Sequence, residues 1–334
     1  MIAEPDLDLL PDDVVRILAQ RAIDGEYPYW NCQVTGPLIL RSSLRLFRCT
    51  VAGRESALAL KFCLDGNGRP DRDMARTQFT ALQRVAAHAA LSRAPARVAR
   101  AVDLIDEHAC VVMEWVEGRS VAAMLVSPMI SEAEIEFGSR SAGAWLKSFH
   151  AMHRLAERPT DCGGMLARLD HELRDTPKLR ANQSFAKGDD ILRRTAVRIA
   201  SLPLPVAHHH GDFKAENLIL SGGELVGLDI SADWEDSISL DLAKFIGDIG
   251  FRSWRPSGWL LRRRGDAIVS SFLAGYGFRL EWQAPLHWAQ LHGLLRFWIE
   301  VERAPSLPIR ETYERYRFEQ IVIGIADSLA AGTR

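Results

Sequence analysis

Residues 210–217, with the sequence HGDFKAEN, concentrate side chains that could do chemistry. Asp212 is a carboxylate, Lys214 follows two residues later as a cation, and Asn217 adds an amide three residues beyond it. A carboxylate in this setting can orient a substrate hydroxyl and accept its proton during phosphoryl transfer. Asp212 is therefore the first candidate for a catalytic base.

A second carboxylate, Asp229, lies twelve residues after Asn217, at the end of the apolar run LVGL. The intervening SGGE sequence at 221–224 is typical of a hairpin turn. If the loop holds three residues (GGE), Asn217 and Asp229 fall directly opposite each other, with Cβ atoms within about 5.5 Å. Their oxygens could then share a hard cation such as Mg²⁺. A two-residue loop would shift the register by one residue and weaken this prediction.

The elements that must position these residues differ between the two parts of the chain. Up to about residue 115 the sequence is rich in strands, with breaks at glycine, proline and serine. Apolar periodicity and end signals predict two helices in this part, at 11–23 and 71–90. The predicted strands lie at 34–40, 44–52, 56–64, 98–105 and 109–116.

The chain changes character after Gly118. Ser131 and Glu134 form an S-x-x-E capping box, which predicts a helix from there to about Glu157. Helices dominate the rest of the sequence apart from the hairpin near 217–229. We find no internal repeat and no low-complexity tract.

Composition excludes several classes of protein. The 334 residues carry 41 Lys and Arg against 43 Asp and Glu, a net charge of −2, which gives no sign of nucleic-acid binding. The five cysteines are scattered and form no CxxC pair, as expected for reduced thiols in a cytoplasmic protein. The acidic N-terminus does not match a secretory or mitochondrial signal, and no apolar stretch reaches the length of a membrane span.

The HGDFKAEN segment resembles the catalytic loop of the protein-kinase-like superfamily, in the HGD form of the aminoglycoside phosphotransferase and choline kinase branch. Other segments resemble further parts of that family in the expected order. The similarity spans about residues 60–250 and is loose beyond them. The matching segments are LALK ending at Lys61, MEWVEG at 113–118, LKSFH at 146–150 and DLA at 241–243.

The resemblance implies an α+β, two-lobe protein-kinase-like fold. Residues 34–115 would form a small N-lobe with an antiparallel sheet and one helix, which binds the nucleotide. Residues 116–334 would form a larger, mainly helical C-lobe with the catalytic loop, the metal site and the acceptor pocket. Residues 1–33 would be an N-terminal helical extension.

The same resemblance implies roles for single residues. Asp212 would be the catalytic base, and Lys214 would contact the γ-phosphate. Asn217 and Asp229 would hold Mg²⁺, and Lys61 would pair with the α- and β-phosphates of ATP.

Further residues would bind the nucleotide. Met113, Glu114 and Val116 align with the adenine-binding hinge, where the Glu114 carbonyl and the Val116 amide would meet the adenine edge. Ser42 and Ser43 occupy the phosphate-covering turn, which here contains no glycine. Gln78 replaces the glutamate that usually pairs with the lysine of the family. Either Lys61 is oriented differently, or another carboxylate supports it.

The expected activity is ATP- and Mg²⁺-dependent transfer of a phosphoryl group to the hydroxyl of a small molecule, as in aminoglycoside phosphotransferases. Only eleven residues separate Asp229 from Asp241, which leaves no room to dock a polypeptide as protein kinases do. Two alternatives stay open: a kinase for a choline-like, homoserine-like or sugar metabolite, and a catalytically weak nucleotide-binding module. We expect a monomer or weak homodimer in the cytoplasm.

Two charged segments bear on the acceptor. Arginines and aromatic residues alternate between Phe251 and Arg264, which indicates either a site for an anionic or glycan acceptor or a solvated helix face. An acidic cluster at 233–236 would suit a cationic acceptor such as an amino sugar, or form an exposed loop. We expect His210 and Asp241 to be structural, with Asp241 holding the catalytic loop by hydrogen bonds.

Overall fold

The computed structural model describes residues 10–23, 32–41, 44–89, 96–152, 156–231, 234–253, 259–303 and 319–329. The chain divides into two compact units. Unit 1 comprises Met1–Gly118 and Ile219–Asp233, and unit 2 comprises Arg119–Leu218 and Trp234–Arg334.

A five-stranded antiparallel sheet is the centre of unit 1, with strand order β1-β2-β3-β6-β5. Both predicted helices of this region are present, and α1 has the predicted bounds. The elements are α1 (Pro11–Ile23), β1 (Cys32–Arg41), β2 (Leu44–Val51), β3 (Leu58–Cys63), α2 (Arg72–Ala89), β4 (Arg97–Val98), β5 (Ala101–Ile105), a 3₁₀ turn (Asp106–His108) and β6 (Cys110–Glu114).

Alternation along β3 gives the sheet two different faces. Leu58, Leu60 and Phe62 are buried on one face, where they share a core with Val14 and Leu18 of α1. Successive side chains of a strand point to opposite sides, so the residues between them face the other way. Helix α1 is thus packed onto the sheet as part of the core of unit 1.

Unit 2 is mainly helical. A small antiparallel sheet, with order β12-β9-β8, lies among its helices. Its elements are β7 (Arg119–Ser120), α3 (Val121–Val126), α4 (Glu132–His150), β8 (Ala156–Pro159), α5 (Cys162–Leu173), α6 (Pro177–Arg180), α7 (Gln183–Ala200), β9 (Pro203–His208), a 3₁₀ turn (Ala215–Asn217), β12 (Glu235–Ser237), α8 (Ser239–Ser253), α9 (Trp259–Tyr276), a 3₁₀ turn (Leu280–Trp282), α10 (Gln283–Arg303) and α11 (319–329).

Helix α4 begins as predicted and ends early. The capping box is confirmed, because Ser131 accepts a hydrogen bond from the Glu134 amide and the Glu134 carboxylate accepts one from the Ser131 amide. The prediction that the helix continues to Glu157 is wrong, since α4 ends at His150. Glu157 instead lies in β8 and pairs with Pro205 of β9. Sheet pairing overrides the helical pattern there.

The hairpin of unit 1 joins β10 (Leu218–Ser221) to β11 (Glu224–Gly227). Its turn holds two residues, Gly222 and Gly223, with φ of 58° and 87°, so the three-residue loop is wrong. Positive φ at both positions is the type I′ geometry that matches the twist of a hairpin, and glycine adopts it without strain. The direct opposition of Asn217 and Asp229, which needs the longer loop, does not follow.

The structure confirms an α+β fold with an antiparallel sheet in the N-terminal part and helices in the C-terminal part. Within the described ranges, no helix is both long and apolar enough to cross a membrane.

Candidate active site

Lys61 and Asp229 meet in unit 1. Lys61 lies on the central strand β3, where Leu46 and Val111 flank it on the neighbouring strands. Its ammonium donates a hydrogen bond to Oδ1 of Asp229 at 2.8 Å, and its side chain is only 7% exposed. The structure therefore brings together two residues that the sequence assigned to the nucleotide and the metal.

Asp229 is held in a left-handed backbone conformation, with φ of 57° just after β11. Few residues other than glycine adopt this region, and Asp is one that tolerates it. Such a conformation persists where surrounding contacts fix it and is often found at functional sites. The ion pair with Lys61 and the buried neighbour Ile230 are two of those contacts.

Gln78 lies on α2 and is buried. Its side-chain oxygen accepts a weak hydrogen bond from the Cys63 thiol at 3.8 Å. Among the described residues it makes no hydrogen bond to Lys61, whose carboxylate partner is Asp229. A carboxylate other than the usual glutamate therefore pairs with Lys61.

The residues predicted to bind adenine lie at the end of β6 and just after it. Met113 is buried on β6 between Ala59 and Ala101. The Glu114 amide donates to the carbonyl of Arg100, and the Val116 amide has no hydrogen-bond acceptor within the described parts of the chain. The Val116 N–H is thus available to a ligand. The other two predicted nucleotide-binding residues, Ser42 and Ser43, lie outside the described residues.

Asp212, Lys214 and Asn217, which the sequence predicted as site residues, contact one another in unit 2. The Lys214 ammonium lies 2.6 Å from Oδ2 of Asp212. The Asn217 side-chain amide donates to the Asp212 carbonyl at 2.9 Å and to Oδ2 at 3.2 Å. Lys244 of α8, which sequence reasoning missed, adds a second ammonium at 3.5 Å from Oδ1.

The charges around Asp212 keep it ionised. Burial alone would raise the pKa of Asp212, but the positive charge of Lys214 and then Lys244 holds it below its usual value. Burial likewise opposes the charge on Lys214, yet Asp212 and Glu216 raise its pKa. A carboxylate of low pKa is a weak base, which suits phosphoryl transfer because positioning contributes more than proton abstraction there.

Asp241 holds the start of the 210–217 segment by hydrogen bonds, as expected from the sequence. Its buried carboxylate accepts hydrogen bonds from the amides of His210 at 2.8 Å and Gly211 at 3.4 Å. Nε2 of His150 lies 3.1 Å from Oδ2 of Asp241, and Nδ1 of the same ring lies 2.9 Å from the Tyr276 hydroxyl. Burial favours neutral Asp241, but the neighbouring histidines hold its pKa well below the usual value.

Arg252 is largely withdrawn from solvent, unlike a solvated helix face. Its side chain is 14% exposed, and its guanidinium pairs with Asp248 and Glu216, both at 2.9 Å. Its guanidinium therefore lies against the 210–217 segment. Arg255 and the side chain of Arg262 lie outside the described residues.

The acidic cluster has cationic partners of its own. Glu235 lies 3.5 Å from Arg158 and 3.4 Å from His208. Asp236 accepts a hydrogen bond from the Ser237 amide. Asp233 lies outside the described residues. Glu235 therefore has two basic neighbours, and Asp236 has a backbone partner.

Two side chains offer oxygens suited to Mg²⁺, one in each unit. Asn217 directs its amide nitrogen to Asp212, so its Oδ1 accepts no hydrogen bond from the described residues. Oδ1 of Asp229 accepts a hydrogen bond from Lys61, whereas its Oδ2 accepts none from the described residues. Amide and carboxylate oxygens are the ligands that Mg²⁺ prefers, so both residues fit the ion chemically. The described residues contain no cluster of three or more His, Cys, Asp and Glu suited to a metal.

Comparisons with known proteins point to one family. The sequence profile of a phosphotransferase enzyme family matches residues 41–243, more than half of the chain. No protein of curated function matches the sequence. Solved structures of kinases and aminoglycoside phosphotransferases share the fold at low identity.

A glucosamine kinase bound to glucosamine, ADP and inorganic phosphate is 12% identical, with a TM-score of 0.63 over 97% of this chain and 87% of that one. An amicoumacin kinase bound to AMP-PNP, Ca²⁺ and Ami is 15% identical, with a TM-score of 0.61 over 96% of both chains. A choline kinase from Streptococcus pneumoniae is 13% identical, with a TM-score of 0.59 over 94% and 99%. These likenesses confirm the protein-kinase-like fold. Because the profile covers more than half of the chain, the chain belongs to the phosphotransferase enzyme family.

Proposed function

We propose that this protein transfers the γ-phosphoryl group of ATP, in the presence of Mg²⁺, to a hydroxyl group of a small molecule. The observation that carries the proposal is the arrangement around Asp212, which is ionised, held by Lys214 and Asn217, and anchored by Asp241. An oriented carboxylate of this kind can bind an acceptor hydroxyl and take its proton as the phosphoryl group moves. The cytoplasm, predicted from the cysteine pattern, is the proposed location.

The other predicted residues have roles on the nucleotide. Lys61 would neutralise the α- and β-phosphates, and Val116 would donate its unused amide to the adenine edge. Asn217 and Asp229 would hold Mg²⁺, which neutralises phosphate charge when bound. Lys214 would contact the γ-phosphate from its place beside Asp212.

The acceptor we propose is a small amino alcohol or amino sugar. The short segment between Asp229 and Asp241 supports a small acceptor over a polypeptide. Structures of similar fold are named for kinases of glucosamine, amicoumacin and choline, which supports the same class.

One observation favours a second candidate, a kinase for a neutral or anionic metabolite. The Lys244 ammonium lies 3.5 Å from Oδ1 of Asp212, and its side chain is 53% exposed. A positive charge at this place repels a cationic acceptor and attracts an anionic one. Replacing it in Lys244→Glu should shift acceptor preference toward amines if this candidate is right.

The test is a transfer assay with ATP, Mg²⁺ and a panel of amino sugars, choline, homoserine and neutral sugars, with the phosphorylated product identified by mass spectrometry. Asp212→Asn should lose nearly all transfer. Asp327→Asn is the matched control, because Asp327 forms an exposed ion pair with Lys187 at 2.9 Å. Equal rates for wild type and Asp212→Asn on every acceptor, or no transfer by either, would overturn the proposal.

A further inference from the structure

We infer that Asp248 and Arg252 of α8 are positioning residues for the catalytic loop. Asp248 holds the backbone in the second half of the loop. Arg252 positions Glu216, which in turn positions Lys214. The effect on catalysis rests on the proposed function, whereas the effect on loop order does not. Both residues lie outside the HGDFKAEN segment, and Arg252 belongs to the basic segment at 251–264.

One polar stripe of α8 follows the loop in order. Its members, at spacings of three, four and four residues, fall on one face of a helix. Each contacts a later part of the loop than the one before it. Asp241 accepts from the amides of His210 and Gly211, Lys244 lies by Asp212, Asp248 accepts from the amide of Ala215, and Arg252 pairs with Glu216.

The far end of the stripe is tied to the loop by two kinds of contact. Oδ2 of Asp248 accepts a hydrogen bond from the Ala215 amide at 3.0 Å. The Nε of Arg252 lies 2.9 Å from both oxygens of Asp248, and a terminal nitrogen lies 2.9 Å from Oε2 of Glu216. A planar guanidinium can serve two carboxylates at once, which an ammonium does with poorer geometry.

Glu216 links Arg252 to Lys214, because its carboxylate pairs with both. Its Oε1 lies 2.9 Å from the Lys214 ammonium, whose other partner is Asp212 at 2.6 Å. A continuous row of ion pairs therefore runs from Arg252 to the proposed base. Lys214 cannot turn away from Asp212 without leaving Glu216 as well.

Loss of Arg252 would leave two carboxylates facing each other without their shared cation. Asp248 and Glu216 are 12% and 29% exposed, so water compensates them only in part. Their repulsion should displace the loop, and a misplacement of about 1 Å can reduce the rate of a reaction on the order of a hundredfold.

The first measurement is the rate of phosphoryl transfer from ATP, to the best acceptor or to water, for Arg252→Gln. We expect kcat to fall roughly ten- to a hundredfold while KM for ATP changes by less than about threefold, because the nucleotide contacts are intact. Arg252→Lys should recover part of the rate. Glu216→Gln added to Arg252→Gln should cost little more, since both break the same row.

The matched control is Arg193→Gln. Arg193 also pairs with two carboxylates of unit 2, Asp170 at 2.6 Å and Asp189 at 2.9 Å, and neither belongs to the loop. This variant loses two comparable ion pairs away from the loop, so it shows how much of any effect comes from reduced stability. A kcat for Arg252→Gln within twofold of this control, in an active enzyme, overturns the inference.

The second measurement, hydrogen exchange of the peptide covering 211–217, needs no substrate. Arg252→Gln and Asp248→Ala should exchange roughly tenfold faster there than wild type and Arg193→Gln. Asp248→Ala removes the acceptor of the Ala215 amide, and Arg252→Gln removes the cation that orients this acceptor. Unchanged exchange overturns the inference whatever the activity. If wild type transfers no phosphate at all, the proposed function fails, and faster exchange still supports the positioning of the loop.

Discussion

The ammonium of Lys61 lies 2.8 Å from Oδ1 of Asp229, although 168 positions separate the two residues in the sequence. The pair joins the central strand of the unit 1 sheet to the residue after its hairpin. Lys61 is almost fully buried, whereas the Asp229 side chain is 32% exposed. One cation and one carboxylate therefore lie side by side, and Oδ2 of Asp229 accepts no hydrogen bond within the described parts of the chain.

Lys61→Met should abolish most phosphoryl transfer without unfolding the protein. Asp229 can be hydrated after the change, so we expect a modest loss of stability of about 1 kcal/mol. The value of kcat/KM for ATP should fall at least about a hundredfold, because a charge on the nucleotide phosphates is no longer compensated. Steady-state kinetics and thermal unfolding measure the two effects.

The control for this change is Lys187→Met, which removes an exposed ion pair of similar length, 2.9 Å, in unit 2. Its kinetics should equal those of wild type. If Lys61→Met also keeps its kcat/KM for ATP, the pair with Asp229 is structural and the nucleotide is bound elsewhere.

Gln78→Glu, which restores the residue usual in the family, should not raise activity. Gln78 accepts from the Cys63 thiol, and burial raises the pKa of that thiol to about 11, so it stays neutral. A new carboxylate in this buried place finds no cation of its own, because Lys61 already pairs with Asp229. We expect the free energy of unfolding to fall by roughly 1–3 kcal/mol, which lowers Tm. The value of kcat should stay unchanged or fall. Gln78→Met, which is neutral and of similar size, is the control, and a rate increase specific to Gln78→Glu would show that Lys61 changes partner.

Local pattern was enough to predict much of the fold. Helix α1 has the predicted bounds because Pro11 suits a first helical position and apolar residues recur with helical period. The length of the hairpin turn could not be settled in this way, because Gly222 and Gly223 allow either loop and only backbone φ selects one. Glu157 was misassigned because its partner, Pro205, lies far along the chain.

The site shows the same division. The motif predicted Asp212, Lys214 and Asn217 as one cluster, and all three meet because they lie within five positions of one another along the chain. The partner of Lys61 was not predictable, since it depends on tertiary packing. The polar stripe of α8 does carry a sequence signal, because its residues recur at helical spacing from Asp241 onward. This spacing alone does not show which segment of the chain the stripe contacts.

His292 should make stability depend on pH. Burial lowers its pKa from 6.5 to about 4, while Nε2 bonds the carbonyl of Met165 at 3.1 Å. Between these pH values the unfolded chain binds a proton that the folded protein excludes, so stability falls as pH falls, by roughly 3 kcal/mol in all. His292→Gln keeps a donor for Met165 and does not titrate. Urea unfolding at pH 7 and pH 5 should show a smaller loss for His292→Gln than for wild type, and the full loss for the control His171→Gln, which changes an exposed residue.

Helices α4 and α9 cross so closely that glycine is required on both. A methyl group at Gly143 would lie 2.0 Å from the carbonyl oxygen of Phe272, and one at Gly275 would lie 2.0 Å from that of Arg140. Both obstacles are backbone atoms, so neither can move without separating the helices. Gly143→Ala and Gly275→Ala should each lower the free energy of unfolding by roughly 2 kcal/mol or more.

The same helix α9 supplies the control for these substitutions. Gly265 has no atom within 4 Å of the place where a methyl group would lie, so Gly265→Ala should stabilise the protein by about 0.5–1 kcal/mol through helix propensity alone. The double variant of Gly143 and Gly275 should cost less than the sum of the single changes, because the first alanine already separates the helices at their shared crossing. Denaturant unfolding of the four variants decides the matter: if Gly275→Ala behaves like Gly265→Ala, the helices are not in the close contact described.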